Sequence, residues 1–378
     1  MDLKEIRDKI NEVDDQLLEC FIKRMELSYE VAKAKHKEGL IIKNKSRERE
    51  ILDRVTKNAG EFAPYARLLY STLFDLSKSY QSEFLLKSQE LEDQIKEAVK
   101  NTPELLPKKG MIAVQGTEGS YSQQASDKLF PMGHLMYFDT FESVFDAVEQ
   151  GLCDYGVLPI ENSSNGSVKE VYELMEKKNF SIISSFRLFI HHGLLGKKGI
   201  KKEDIKEIIS HRQALEQCSG YLQKISDVEI TSVRNTAMAA KTVSESDRKD
   251  LAAISSLHCA ELYGLEVLED GIQNSDNNYT RFICISKKLE IYPGANKISI
   301  MLTASHEPGG LYKIIARFAS LGLNLTKIES RSIVGRDFEF MFHFDFEGSV
   351  LMPEVMGLLS SLKKENPDFV FLGNYSET

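Results

Sequence analysis

The spacing of apolar residues changes period twice along the chain. Through residues 1 to about 100 it is helical: Ile6, Ile10, Val13, Leu17, Phe21 and Val31 share one stripe, which Ser28 continues. Asp2 and Glu5 form a capping-box signature ahead of this first helix, and Gly39 stops it. A short helix follows Ser46, and a long third helix is expected from about Pro64 to Val99, since proline suits a first turn. From Met111 the apolar runs shorten. MIAVQG, LMYFDT, YGVLPI, IKEIIS, VEITSV, LAAIS and YTRFICIS alternate with helical stretches, a parallel α/β signature. Its length, with a switch of pattern around Ser184–Gly199, suits two lobes and a cleft. The last stretch reads strand, helix, strand, strand, helix, strand. In it Phe338, Phe340, Phe342, Phe344 and Phe346 alternate with Glu339, Met341, His343 and Asp345, which predicts a strand with one buried face. A βαββαβ order is ferredoxin-like. Proline and glycine mark the joints at 101–110 (NTPELLPKKG) and 291–296 (IYPGAN). The expected organisation is an all-α domain over 1–100, a linker over 101–110, a two-lobed α/β domain over 111–288 and an α+β domain over 297–378.

Composition narrows the partners more than the fold. The 378 residues are 42% apolar and 28% charged, an ordinary globular balance. A net charge of -9 argues against nonspecific nucleic-acid binding. Cys20, Cys153, Cys218, Cys259 and Cys284 are scattered without a CxxC pair and read as buried small hydrophobes in a reducing compartment. The charged start MDLKEIRDKI has no apolar signal core, and no apolar run reaches the roughly 18 residues of a membrane span. A cytoplasmic protein without a membrane partner is expected.

Polar groups interrupt the helical core. Arg24 lies three residues after Phe21 and four before Ser28, on the apolar stripe; Lys35 follows Val31 on the same face, and Arg7 borders it. On the third helix Ser77 and Gln81 continue the line of Tyr70, Leu73 and Phe84, while Arg47 and Glu48 open the short helix. One such arginine is ordinary snorkelling at a bundle edge. A whole set facing one core calls for an anionic ligand, because a buried charge without a partner is costly. IRDKIN, KRMEL, VAKAK, SRERE and SKSYQ resemble the all-helical chorismate mutases, over roughly the first 90 residues. That resemblance implies an intertwined dimer. It assigns Arg7 (from a partner subunit), Arg24 and Arg47 to carboxylates, Lys35 and Gln81 to the ether oxygen, Glu48 to the ring hydroxyl and Ser77 to a carboxylate. The pericyclic rearrangement needs a held conformer and charge stabilisation but no nucleophile and no cofactor. Where relatives often carry an aspartate, this chain has Asn44; an amide still accepts a hydrogen bond, so activity is expected to be retained, if weakened.

In open α/β sheets, ligands bind beyond the carboxyl ends of strands, against helix N-termini. Here those positions hold Thr117–Ser120, Glu161–Gly166, His211–Gln213 and Arg234–Thr236, rich in hydroxyls and amides. Helix capping accounts for any one of these loops; four together point to an anion-binding cleft. GTEGS is not a dinucleotide fingerprint, and adjacent His191 and His192 would point apart on a strand, against a metal site. VLPIENSSNGSV, SHRQALEQCSGYL and NNYTRF closely resemble the signatures of prephenate dehydratases, in order across about 175 residues. The resemblance implies a periplasmic-binding-protein-like fold, with Thr280 donating to the leaving hydroxyl. It also implies Glu161 as an acid should burial raise its pKa, and Asn162, Ser163, Ser210, Gln213 and Thr236 as substrate ligands. Arg281 pairs with a carboxylate or braces the loop, and Phe282 packs. The first loop, Gly116–Ser120, and the turn Asn235–Ala237 depart from the family pattern, which puts substrate contacts there in question.

PGGLYKIIARFASLGLNLTKIESR resembles an ACT domain of the kind that follows prephenate dehydratases. It implies a phenylalanine site of Gly309, Gly310, Leu311, Asn324, Leu325, Glu329 and Ser330; Gly310 and Ser332 replace the usual alanine and proline. The read-out is a feedback-regulated enzyme converting chorismate to prephenate and prephenate to phenylpyruvate, as a homodimer or homotetramer. Two alternatives stand beside it: a dehydratase whose helical part only dimerises, and a noncatalytic amino-acid-sensing protein.

Overall fold

The computed structural model describes residues 2–38, 45–85, 89–304, 306, 308–333 and 339–378; the side chains of 35–38, 45, 79, 82–85 and 89 also lie outside the description. Gly39, Asn44 and Phe338 therefore fall outside it. Two compact units form, 1–97 with 300–370, and 98–299 with 371–378.

The described part of the first hundred residues is mainly helical: α1 (Leu3–Glu38), α2 (Lys45–Asn58), α3 (Ala63–Leu85) and α4 (Gln89–Asn101). Asp2 and Glu5 make the reciprocal capping box, each side-chain oxygen accepting from the other's backbone N–H at 2.8 and 3.1 Å. The expected third helix is thus described as two. α1 packs on α3, where Ala32 and Phe74 are buried, yet Ile6, Ile10, Val13, Leu17 and Val31 of its stripe are exposed within one chain.

The α/β part begins with β1 (Met111–Gln115), α5 (Tyr121–Leu129), β2 (His134–Phe138), α6 (Phe141–Glu149), β3 (Tyr155–Asn162), β4 (Gly166–Ser167), α7 (Lys169–Lys177) and β5 (Ser181–Phe189). The chain then crosses to β6 (Gly193–Gly196), β7 (Glu207–His211), α8 (Arg212–Gln217), α9 (Ser219–Leu222), β8 (Glu229–Val233), α10 (Thr236–Glu245), β9 (Leu251–Ser255), α11 (Leu257–Leu262) and β10 (Glu266–Glu269), and returns as β11 (Tyr279–Ser286). Two sheets result, β2-β1-β3-β11-β5 and β10-β6-β9-β7-β8, each with its own core. The sheets are mixed rather than parallel. β1, β2 and β3 pair parallel, but β11 comes back from the second lobe and runs antiparallel to both β3 and β5. β6 is likewise antiparallel to β9 and β10. Residues 190–192 and 270–278 join the lobes and are stitched together by Ile190 N–H to Asn278 O at 2.7 Å and Ile272 N–H to His192 O at 3.1 Å.

The final elements are β12 (Lys297–Thr303), α12 (Gly310–Ser320), β13 (Leu325–Ser332), β14 (Phe340–Glu347), α13 (Pro353–Glu365) and β15 (Val370–Tyr375). Their sheet order, β13-β14-β12-β15, places the first strand inside and is the ferredoxin-like arrangement. β14 is not one-sided throughout. Phe344 and Phe346 are fully buried, and His343 and Asp345 on its other face are buried too.

Candidate active sites

Arg24 and Ser77 meet where α1 crosses α3. Arg24 Nη1 donates to Leu73 O at 3.1 Å and to Ser77 Oγ at 2.5 Å, and its guanidinium lies 5.6 Å from the Phe74 ring centre. Ser28, Ser77 and Gln81 are buried alongside. Burial lowers the Arg24 pKa from its ordinary value, which the nearby Tyr70 only partly offsets; arginine nevertheless stays charged. Five N–H donors in a fixed fork are available, and among the described residues Nε and Nη2 remain open to a carboxylate. Glu48 does not stand alone. Lys78 Nζ pairs with it at 3.2 Å and with Asp75 at 3.1 Å. Burial works against the Lys78 charge, but the two carboxylates outweigh it and raise its pKa. Lys78 escaped the sequence reading; its adjacency to Ser77 and i,i+3 spacing from Asp75 were the available signals. Arg47 is exposed and pairs with Glu50 at 2.7 Å. The Lys35 side chain lies outside the description. Arg7 is exposed and stands seventeen residues before Arg24 on one continuous helix, about 25 Å away at 1.5 Å per residue. One chain cannot bring these two arginines to one ligand.

The second site is a cleft of about 360 Å³ between the two α/β lobes, a size usual for small-molecule sites. Gly116, Ser120, Tyr121, Asn162, Thr280 and Phe282 line it from the first lobe; Gln213, Gln217, Arg234, Asn235 and Thr236 line it from the second; His192 lies in the crossover. The N-termini of α5 and α10 open onto it, capped by Ser120 (from Gln123 N–H, 3.3 Å) and Asn235 (from Met238 N–H, 2.7 Å). The positive ends of these helices, with Arg234, favour an anion. Among the described residues, no carboxylate lines the cleft.

Four of the expected residues do not line it. Glu161, Ser163, Ser210 and Arg281 are neighbours in sequence of lining residues, but successive side chains of a strand point to opposite faces. Arg281 and Glu161 form a cross-strand pair behind the sheet, Nε to Oε2 at 3.6 Å. Ser163 Oγ holds the loop by donating to Asn277 O and accepting from Tyr279 N–H, both at 2.9 Å. Ser210 Oγ donates to Ile254 O at 2.6 Å in the second core. A register shift beside Arg281 lets both Asn162 and Pro159 of β3 face the cleft although three positions separate them.

Hydrogen-bond polarity can be read from the backbone outward. Asn162 Oδ1 accepts from Ser164 N–H and Asn165 N–H, both at 3.0 Å, so its Nδ2 is the donor. Nδ2 donates to Thr280 Oγ1 and to Asn278 Oδ1, each at 2.9 Å. A lone pair of Oγ1 is thereby used, and the Thr280 hydroxyl proton is left for the cleft. Asn278 Nδ2 then donates to Gln217 Oε1 at 3.2 Å, which makes His192 Nε2 the protonated nitrogen facing that same oxygen at 3.1 Å. His192 Nδ1 lies 3.2 Å from the Tyr121 hydroxyl. His192 thus bridges α5 of one lobe and α8 of the other. The sequence reading weighed it only as a metal ligand; its place between two apolar runs was the signal for a junction.

Burial is the main cause that lowers the His192 pKa, with His191 adding to it against the raising effect of Gln217. Burial also lowers that of His211. The unfolded chain takes up protons near pH 6.5 that the folded hinge refuses. Stability from these neutral imidazoles is therefore present above about pH 6.5 and declines as pH falls below it toward the folded values. The melting temperature should fall between pH 7 and 5.5, and less steeply in His192→Gln. Identical slopes for the two proteins would exclude His192 as a contributor.

Comparison with known proteins finds a family for each of the two domains. Residues 112–290 match the prephenate dehydratase family and residues 6–82 match chorismate mutase type II. An arogenate dehydratase/prephenate dehydratase of Arabidopsis thaliana is 38% identical over 281 residues, covering 70% of this chain and 71% of the relative. A bifunctional chorismate mutase/prephenate dehydratase of Buchnera aphidicola is 29% identical over 98% of this chain and 95% of its own. A prephenate dehydratase from Arthrobacter aurescens, solved in complex with L-Phe, superposes with a TM-score of 0.65 at 27% identity, covering 70% of this chain and 89% of that one. The chain belongs to the prephenate dehydratase family. It joins that domain to a chorismate mutase domain, and it is an enzyme of both activities in aromatic amino acid biosynthesis.

Proposed function

We propose that the dehydratase reaction runs on prephenate through the Thr280 hydroxyl, and the observation that carries this is the Asn162 amide donating to Thr280 Oγ1 at 2.9 Å. The ring carboxylate leaves as carbon dioxide, its bonding electrons enter the ring, and the ring hydroxyl departs as water. The departing oxygen needs a proton, which comes ultimately from solvent. A threonine hydroxyl is too weak an acid to give up its proton outright, so it donates a hydrogen bond that tightens as charge develops. Asn162 stabilises the negative charge this places on Oγ1. Gln213, Thr236 and the α10 N-terminus hold the two carboxylates, with Arg234 at the mouth, and Phe282 forms the apolar floor. Arogenate carries an ammonium where prephenate has a carbonyl, and among the described residues no carboxylate lines the cleft to receive it.

In the mutase domain, Arg24, Ser77, Gln81, Glu48 and Lys35 bind chorismate, with Arg47 at the edge. The exposed stripe of α1 pairs with the same stripe of a second copy, a dimer that delivers Arg7 into the partner's site. The C-terminal domain is an ACT domain that takes phenylalanine at Gly309–Leu311 and Asn324–Leu325, with Glu329 and Ser330. Gly309 adopts a left-handed φ of +82° that opens α12. Glu329 pairs with Arg331 at 2.8 Å and Lys327 at 3.3 Å, and Asn324 donates to Glu347 at 3.0 Å.

A coupled assay tests the whole reading. Purified protein given chorismate alone should release phenylpyruvate, and phenylalanine should suppress that release. Arogenate should be turned over with kcat/KM about 10- to 100-fold below prephenate, the scale on which unpaired polar groups discriminate. Chorismate left untouched while prephenate is consumed removes the mutase assignment; equal use of arogenate removes the substrate assignment.

A further inference from the structure

The strand that carries Thr280 has a second, charged side. On the face away from the cleft, Arg187 of β5, Arg281 of β11 and Glu161 of β3 stand in one cross-strand row. Two guanidinium groups directly opposite each other repel. The carboxylate between them comes from far along the chain. Beyond β15 the backbone runs beside β5: Ser185 N–H donates to Ser376 O at 3.0 Å, Thr378 N–H to Ser185 O at 2.9 Å, and Arg187 N–H to Thr378 O at 2.9 Å. This short parallel bridge sets Glu377 opposite Ser185. Glu377 then lies 2.7 Å from Arg187 Nη2, 3.0 Å from Lys297 Nζ and 3.7 Å from Arg281 Nη1, and accepts from Ser185 Oγ at 3.3 Å.

The junction is tight as well as charged. A Cβ on Gly373 would collide with Ile182 O, so β15 approaches β5 more closely than any side chain allows. Arg281, Lys297 and Glu377 are all largely buried, at 8, 8 and 15% side-chain exposure. Burial alone would raise the Glu377 pKa, but Lys297, Arg281 and Arg187 together hold it below the ordinary glutamate value, so the carboxylate is charged. The next row of the same strands is the Thr280–Asn162 pair itself.

We infer that Glu377 is a positioning residue for the dehydratase reaction, fixing Arg281 from behind so that its neighbour Thr280 keeps its hydrogen bond to Asn162 and its aim into the cleft. Glu377 touches no substrate. Its effect travels through Arg281 and the backbone of β11. Lys297 opens β12, and Glu377 follows β15 by two residues. The inference rests on the placement of Thr280 in the reaction, and the two fail separately: Thr280 variants test the placement, Glu377 variants the row behind it.

The experiment is steady-state kinetics on full-length Glu377→Gln and Glu377→Asp, with chorismate mutase turnover of the same preparation as the internal folding control. Glu377→Gln should lower dehydratase kcat about 10- to 100-fold, the cost of a small misplacement of a catalytic group, with KM for prephenate changed less than threefold or so. Glu377→Asp keeps the charge and should recover at least half of the lost activity on a logarithmic scale. A Glu377→Gln enzyme with dehydratase kcat within twofold of the parent overturns the inference. So does equal damage in the Asp and Gln variants, which would mean shape rather than charge. If Glu377→Gln yields no folded protein, Arg187→Gln, whose guanidinium is 60% exposed, replaces it; unchanged dehydratase kcat there also overturns the inference.

Discussion

Replacing Thr280 by alanine is expected to lower dehydratase kcat by about 10²- to 10³-fold, the range found when one well-placed donor to a developing charge is removed. The loss should sit in kcat rather than KM. A hydroxyl that is barely polarised in bound prephenate becomes a strong acceptor only as the carbon–oxygen bond breaks, so the donor matters most in the transition state. Thr280→Ser should retain most activity, because Oγ keeps both the Asn162 donor at 2.9 Å and the free proton. Asn162→Ala should fall between them: it removes the amide that fixes the hydroxyl's direction and frees the loop bonds at Ser164 and Asn165. Mutase turnover in all three variants should equal that of the parent, which separates a chemical defect from a folding one. A Thr280→Ala enzyme within threefold of the parent kcat would mean that another group serves the leaving oxygen.

The sequence exposes periodicity well and facing poorly. The first helix, the βαββαβ order and seven of the α/β strands could be read from spacing, because one apolar face repeats at a fixed interval. β4, β5, β6 and β10 could not, and β4 is only two residues long. β5 buries both faces through Ile182–Ser185, β6 is only four residues long, and β10 carries Glu266 and Glu269 at its ends. Site residues divided on the same ground. Asn162, Thr280, Gln213 and Thr236 line the cleft, while Glu161, Ser163, Ser210 and Arg281, each next in sequence to a lining residue, do not. A motif is contiguous in sequence, whereas a strand turns every second residue away. Residues that act through distant partners left no trace at all: nothing in the sequence joins Ser185 to Glu377, which are 192 positions apart. The hinge histidine was visible as a residue but not as a contact, since its partners Tyr121 and Gln217 come from different lobes.

Replacing Arg24 by alanine should have the largest effect in the mutase domain, lowering kcat/KM for chorismate by about 10²- to 10³-fold. The arithmetic is direct: two charge-assisted hydrogen bonds at about 1.5–3 kcal/mol each, with part of that regained by water, leave about 3–4 kcal/mol, and 1.36 kcal/mol is tenfold. Arg24→Lys should recover little, because an ammonium cannot reproduce the planar fork that reaches Leu73 O, Ser77 Oγ and a ligand together. Dehydratase turnover should be unaffected. The same residue also tests the dimer. Arg7→Ala alone should be similarly damaging if Arg7 enters a partner's site. Mixing unfolded Arg7→Ala and Arg24→Ala chains and refolding them together should then restore about one quarter of parent activity, since half the dimers are mixed and each holds one intact site. Recovery cannot occur if both arginines serve a site within one chain, and the roughly 25 Å of helix between them already argues against that arrangement. Activity that stays at the level of the single variants would break the link between the exposed stripe of α1 and a shared active site, while leaving Arg24 in its place against Ser77.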